Sequence, residues 1–307
     1  MRVEARACVA AGLDAINEVL GRSTAPTSAD PIERARIQRE RFEITYVPVP
    51  EAHERVIDGV PCRVFLPEGR ARAVYLHFHG GGMMLGHPKM NDLGNRDVAR
   101  RHQVAVVSVD YRLAPEHPYP AGPDDGVTVA RWLLEHGQAE FGSDRVLIGG
   151  ESAGGYMAAA VLLRIRDELD AADRVDGANL VFGVYDWGRS PSQRGIRASD
   201  QPDIVEPVGI SFFTDCYLPG LRDDERRDPA VSPAFADLRD LPPAHMSVGT
   251  ADHLLDDTLM LAARWAGAGN RVDLVVLPDM PHGFMAFPCA MTSWWATQVN
   301  DWFSKIL

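Results

Sequence analysis

The pentapeptide Gly150-Glu151-Ser152-Ala153-Gly154 sets a hydroxyl between two glycines. The strand-like run Arg145-Val146-Leu147-Ile148 leads into it through Gly149, and an Ala- and Leu-rich helical pattern begins at Tyr156. A strand that turns this sharply into a helix strains the central residue and leaves no room for flanking side chains, so glycine two residues before and after is the expected solution. The chemistry that needs such an exposed serine is nucleophilic attack on an acyl carbon, which in turn needs a base, an orienter for that base and donors for an oxyanion. The pattern alone arises by chance in about one unrelated chain in ten, and a glycine-rich helix start with Ser152 as its cap is the plainer alternative. The partners decide between them.

Upstream, the apolar run Ala73-Val74-Tyr75-Leu76-His77-Phe78 ends in His79-Gly80-Gly81-Gly82. Consecutive glycines leave backbone N–H groups uncovered, so they can approach a reacting carbonyl oxygen. Gly81, Gly82 and Ala153, the last at the helix start after Ser152, are the expected oxyanion donors. A phosphate-cradling loop would need a following G-K-S/T or a spaced G-x-G-x-x-G, and neither is present. A metal at His77 and His79 finds no further Asp or His nearby, so no metal is expected there.

Ten histidines compete for the role of base, and position selects His282, in the loop Pro278 to Phe284 after the apolar run Val272 to Leu277. The run His245-Met246-Ser247-Val248-Gly249 leads in the same way to Asp252. Asp252 could instead cap the helix starting near Leu254, with Asp256 or Asp257 as orienter. The chain order Ser152, Asp252, His282 is that of α/β-hydrolase triads, unlike that of chymotrypsin or subtilisin.

These residues must be held at strand ends. Strands are expected at 63–66, 73–78, 104–109, 145–148, 179–184, 245–248 and 272–277, with helices near 89–101, 121–138, 153–168, 255–268 and 291–304. The alternation predicts an α/β fold, a mostly parallel central sheet flanked by helices, as one domain over 1–307. Residues 1–45 and 186–230 break the rhythm and are expected to form a helical cap over the carboxyl edge of the sheet.

Composition narrows the partners. Thirty-one Lys+Arg against 43 Asp+Glu give a net charge of −12, which repels a phosphate backbone, so nucleic acid is not an expected partner. No uncharged apolar run is long enough for a membrane span, and the charged start Met1 to Cys8 does not read as an export signal; the expectation is a soluble, cytoplasmic protein. Cys8, Cys62, Cys216 and Cys289 form no C-x-x-C pair and are expected to be buried free thiols.

Together, His79-Gly80-Gly81-Gly82, the block Asp110-Tyr111-Arg112-Leu113-Ala114-Pro115-Glu116-His117-Pro118-Tyr119-Pro120-Ala121, Gly150 to Gly155, Asp252-His253-Leu254 and His282-Gly283-Phe284 resemble the bacterial hormone-sensitive-lipase family of esterases on the α/β-hydrolase fold. The resemblance implies ester hydrolysis of a small-molecule substrate through an acyl-enzyme on Ser152, a two-part cap, no metal and no organic cofactor. The chain departs from the family at His253, where proline is usual, and at Leu255, where arginine is frequent. Met83, Met84, Tyr185, Trp187, Phe212, Phe213 and Phe284 are the expected pocket lining, with core packing the plainer role for each. Short- to medium-chain acyl esters are the expected substrates. Amide or arylformamide cleavage is the second enzymatic reading, a binding-only receptor of this fold the third, and a homodimer stays open as a partner state.

Overall fold

The computed structural model describes residues 7–10, 30–43, 46–47, 49–195 and 207–307, with the backbone alone at 41–43 and 207–210. The remaining parts of the two irregular regions, 11–29 and 196–206 among them, lie outside the described residues. Eight strands form one sheet in the order β1-β2-β4-β3-β5-β6-β7-β8. They are β1 (His53–Ile57), β2 (Val60–Phe65), β3 (Val74–Phe78), β4 (Ala105–Val109), β5 (Val146–Glu151), β6 (Val175–Val181), β7 (Ala244–Gly249) and β8 (Val272–Leu277). Among the described residues only the pairs β1–β2 and β2–β4 are antiparallel.

The covering helices are α1 (Pro31–Glu43), α2 (Asp92–His102), α3 (Ala121–Phe141), α4 (Ala153–Leu169), the single turn α5 (Pro191–Arg194), α6 (Pro207–Tyr217), α7 (Leu255–Gly267) and α8 (Ala290–Ile306). Every residue of β3 and β4 is buried, as expected of parallel strands covered on both faces. The outermost strand β8 keeps Leu274 and Val276 exposed, the half-covered state of a sheet edge.

Two expectations need correction. No strand was expected at 53–57, yet Asp58 (φ 46°) and Gly59 (φ 86°) form a two-residue hairpin turn; both central residues at positive φ suit the right-handed twist of the strands they join. The strand expected at 179–184 instead runs over Val175–Val181. It stops because Phe182 takes φ 36° and the chain folds so tightly that a Cβ on Gly183 would lie 2.4 Å from the Tyr185 ring.

The order β4-β3-β5 places the topological switch between β3 and β5, where open α/β sheets leave a crevice outside the strand ends. Both glycine-bearing loops issue there, in register, with Phe78 opposite Gly150. Above this edge α6 is pinned to α4 by the Tyr156–Tyr217 hydroxyl bond of 2.9 Å and an edge-on ring contact. The Arg34 guanidinium of α1 lies 4.1 Å over the Phe212 ring of α6, so the described parts of the two irregular regions meet. All four cysteines are free thiols, but only Cys62 is buried and the other three are half-buried. Among the described residues no helix is long and apolar enough to cross a membrane.

Candidate active site

Ser152 sits between β5 and α4 with φ 57° and ψ −122°. This is left-handed backbone that an L-residue holds only when its surroundings impose it. Here the Ser152 N–H donates to the Val181 carbonyl at 2.9 Å. A Cβ on Gly150 would meet the Phe78 carbonyl oxygen at 2.2 Å, and one on Gly154 would meet the same atom at 2.0 Å. Both glycines are therefore required by the close passage of β3.

The Ser152 Oγ lies 2.9 Å from His282 Nε2, and His282 Nδ1 lies 3.0 Å from each Asp252 oxygen. Asp252 Oδ1 also accepts the Leu254 N–H at 2.8 Å, which fixes the carboxylate independently of the histidine. The loop after β7 and the loop after β8 are joined directly: Ala251 N–H donates to Met280 O at 3.1 Å, and Asp279 N–H to Thr250 Oγ1 at 2.7 Å. The His282 ring stands edge-on to Phe182, centroids 4.8 Å apart, and lies 4.6 Å from the His253 ring. Asp252 is fully buried while the His282 side chain keeps 12% exposure, and Ser152 is likewise half-buried. A hydroxyl bonded to an imidazole whose second nitrogen faces a buried carboxylate can deliver an alkoxide equivalent without a free strong base.

Gly81 and Gly82 take φ 125° and 62°. Among the described residues no acceptor takes the N–H of Gly81, Gly82 or Ala153. Glu151, next to Ser152 in sequence, spans the gap to this loop: its Oε1 accepts the Gly80 N–H at 2.8 Å and Asn91 Nδ2 at 3.0 Å, and its Oε2 lies 3.2 Å from His77 Nε2. His77 continues to Ser108 Oγ at 2.8 Å. The two histidines of the strand end thus have separate tasks, since His79 stacks on Tyr111 with centroids 4.3 Å apart. Burial pushes the His79 imidazole down to about 3, so it stays neutral.

The block from Asp110 to Ala121 braces the same loop. Tyr111 donates its hydroxyl to His79 O at 2.7 Å, and Ala114 N–H donates to Met83 O at 2.9 Å. Arg39 of α1 reaches the loop as well, donating at 2.8 Å to Met84 O, Ala114 O and both oxygens of Glu116. Nothing in the local sequence marks Arg39; its partners lie 45 to 77 residues away.

Of the expected lining residues, Met83, Met84, Tyr185 and Trp187 are buried in the main core, and Phe284 in the cluster beneath His282. Phe212 and Phe213 are partly exposed on α6. The Phe213 ring lies so near the glycine loop that a Cβ on Gly82 would stand 2.7 Å from it.

Comparison with known proteins identifies the fold and the family. Residues 75–286 match the family described as having the alpha/beta hydrolase fold. The carboxylesterase NlhH of Mycobacterium tuberculosis is 37% identical over 284 residues, covering 85% of this chain and 84% of that protein. Among solved structures, a hormone-sensitive lipase from a metagenome library superposes with a TM-score of 0.80 at 29% identity, covering 96% of each chain. An esterase of Pyrobaculum calidifontis superposes with a TM-score of 0.81 at 27% identity, covering 95% of this chain and 97% of that one. With a family match over most of its length and a carboxylesterase relative 37% identical over most of both chains, this chain belongs to the α/β-hydrolase fold family, as a carboxylesterase of the bacterial hormone-sensitive-lipase kind.

Proposed function

We propose that ester hydrolysis proceeds through an acyl-enzyme on Ser152, with His282 as general base and then acid, and Asp252 as the group that orients it. The observation that carries this reading is the unbroken contact from Ser152 Oγ through His282 to Asp252, 2.9 Å on one side and 3.0 Å on the other. As Oγ attacks the acyl carbon, its proton passes to Nε2, and the imidazolium is stabilised by the buried carboxylate at Nδ1. Charge developing on the carbonyl oxygen is met by the free N–H groups of Gly81, Gly82 and Ala153, each such donor being worth about 10²–10³ in rate. The imidazolium then protonates the departing alcohol, and water repeats the sequence on the acyl-enzyme.

Residues 1–45 and 186–230 act as a cap over this edge, a reading supported by the Arg34–Phe212 contact. Phe213 beside Gly82 narrows the space above the oxyanion loop, which favours short- to medium-chain acyl groups on small dissolved esters.

The test is labelling with a fluorophosphonate followed by peptide mapping, together with a p-nitrophenyl ester series from acetate to laurate. Modification on Ser152, an optimum at the shorter chains and loss of nearly all activity in Ser152→Ala are expected. Full activity in Ser152→Ala, or modification elsewhere, overturns the assignment. Matched anilides separate amide from ester cleavage.

A further inference from the structure

We propose that Asp252, His253 and His282 form an inhibitory zinc site. Among the described residues these three bring one carboxylate oxygen and one ring nitrogen from each histidine within 4.8 Å of one another. His282 Nδ1 is 3.0 Å from Asp252, and His253 Nδ1 is 3.6 Å from Asp252 Oδ1. Donors bound to a four-coordinate Zn²⁺ at about 2.0–2.2 Å stand roughly 3.4 Å apart, so the two measured spacings bracket what the ion needs. The ring nitrogens of the two histidines, within 4.8 Å of each other, must close further, by on the order of 1 Å, through the loop that carries His282.

A second observation points to a ligand here. His253 Nδ1 is buried without a hydrogen-bond partner, on a side chain with 6% exposure. Buried ring nitrogens are normally satisfied, and this one faces the carboxylate without reaching it. Two imidazoles and a carboxylate, with a fourth position left for water, are a donor set that zinc takes readily. The family resembled at the sequence level usually has proline at this position, so the third donor comes from a residue in which this chain differs.

The ion acts as an inhibitor because of the proton it displaces. In the working tautomer His282 carries its proton on Nδ1 and offers the Nε2 lone pair to Ser152. Coordination through Nδ1 sends that proton to water, while Nε2 takes one from water, so the ring remains neutral and the proton count is unchanged. An Nε2–H cannot accept the Ser152 proton. Metal binding itself is independent of the catalytic reading; the loss of activity rests on it.

The experiment titrates Co²⁺ as a spectroscopic probe and Zn²⁺ as the inhibitor into the full chain, its Ser152→Ala variant, and the variants His253→Phe and His253→Pro, each checked for folding by thermal melting. The full chain and Ser152→Ala should show the visible bands of four-coordinate Co²⁺ without thiolate charge transfer, which separates this site from the cysteines. Both His253 variants should bind at least about tenfold more weakly and keep hydrolysing at Zn²⁺ concentrations that silence the full chain, whose activity a chelator restores. Absence of those bands, or equal Co²⁺ affinity in the His253 variants, overturns the site. Binding through His253 with hydrolysis untouched supports the site and overturns the catalytic reading instead.

Discussion

Gly249, the last residue of β7, lies directly beneath the carbonyl of Met280: a Cβ there would stand 1.9 Å from the oxygen. That approach allows the Ala251 N–H to reach the same carbonyl and holds the Asp252 loop against the His282 loop. In Gly249→Ala the two loops must separate. The expected cost is about 1–3 kcal/mol of stability. The accompanying drift of His282 from Ser152, on the order of 1 Å, should lower kcat about 10²-fold. Denaturant unfolding and p-nitrophenyl acetate kinetics measure the two effects; a variant as active as the parent removes the case that loop contact sets the Ser152–His282 geometry.

Glu151 ties the nucleophile turn to the glycine loop through Gly80, Asn91 and His77. Glu151→Ala removes both the oxygen that accepts Gly80 N–H and Asn91 Nδ2 and the one beside His77, so the loop loses a defined position. A fall of about 10- to 100-fold in kcat with little change in KM is expected, because a displaced oxyanion donor is felt in the transition state and not in ground-state binding. A change confined to KM would assign Glu151 to substrate binding instead.

The strand-end logic singles out Ser152, Asp252 and His282, which the structure brings into contact, because each follows an apolar run at the edge where a parallel sheet exposes its loops. What it could not supply was contact between distant segments. Glu151 could be placed near the turn, yet its bond to Gly80, 71 residues away, is a property of β3 and β5 lying side by side. Arg39 has the same character: its helix gives no local sign that the guanidinium closes on Met84 and Ala114. The β1–β2 hairpin did carry a local signal, the Asp58-Gly59 turn, but the polar strand His53–Ile57 hid it. The start of β6 was masked similarly by Asp176 and Gly177. As for Met83, its φ of 63° turns the side chain into the core, which no residue count after a glycine run reveals.

Phe213 belongs to α6, and its ring lies against Gly82; under the proposed mechanism its bulk limits how far an acyl chain extends past the glycine loop. Phe213→Ala removes that wall from a partly exposed position, where the penalty on folding is small. The expected outcome is a shift of the p-nitrophenyl ester optimum toward longer chains. An extra methylene that finds a hydrophobic pocket is worth roughly 1 kcal/mol or somewhat more, so kcat/KM for the longer esters should rise several-fold relative to acetate. An unchanged chain-length profile would place the acyl group elsewhere in the crevice.

Acid should unfold this protein through its buried imidazoles. Burial pushes His79 and His253 down to about 3 and His245 down to about 4. Since the unfolded chain binds these protons near 6.5, it takes up about three that the native state refuses as pH falls toward 5. Asp257 works in the opposite sense: burial pushes its carboxyl up to about 6 against hydrogen bonds from Gln193, Ser190, Asp186 and Tyr185. Between about 4 and 6 the native state therefore holds one proton there that the unfolded chain has lost, and stability falls as pH rises through this group. Three against one leaves about two protons in favour of the unfolded chain near pH 5, so these four groups raise stability by roughly 3 kcal/mol per pH unit on going up from there. Chemical denaturation from about pH 4.5 to 7 should show that slope near pH 5 and a flattening toward pH 7, as the unfolded imidazoles lose their protons. His253→Phe should reduce it by about one proton, or ~1.4 kcal/mol per unit, and Asp257→Asn should steepen it by a similar amount. Identical slopes in all three proteins would mean that other groups control the acid limb.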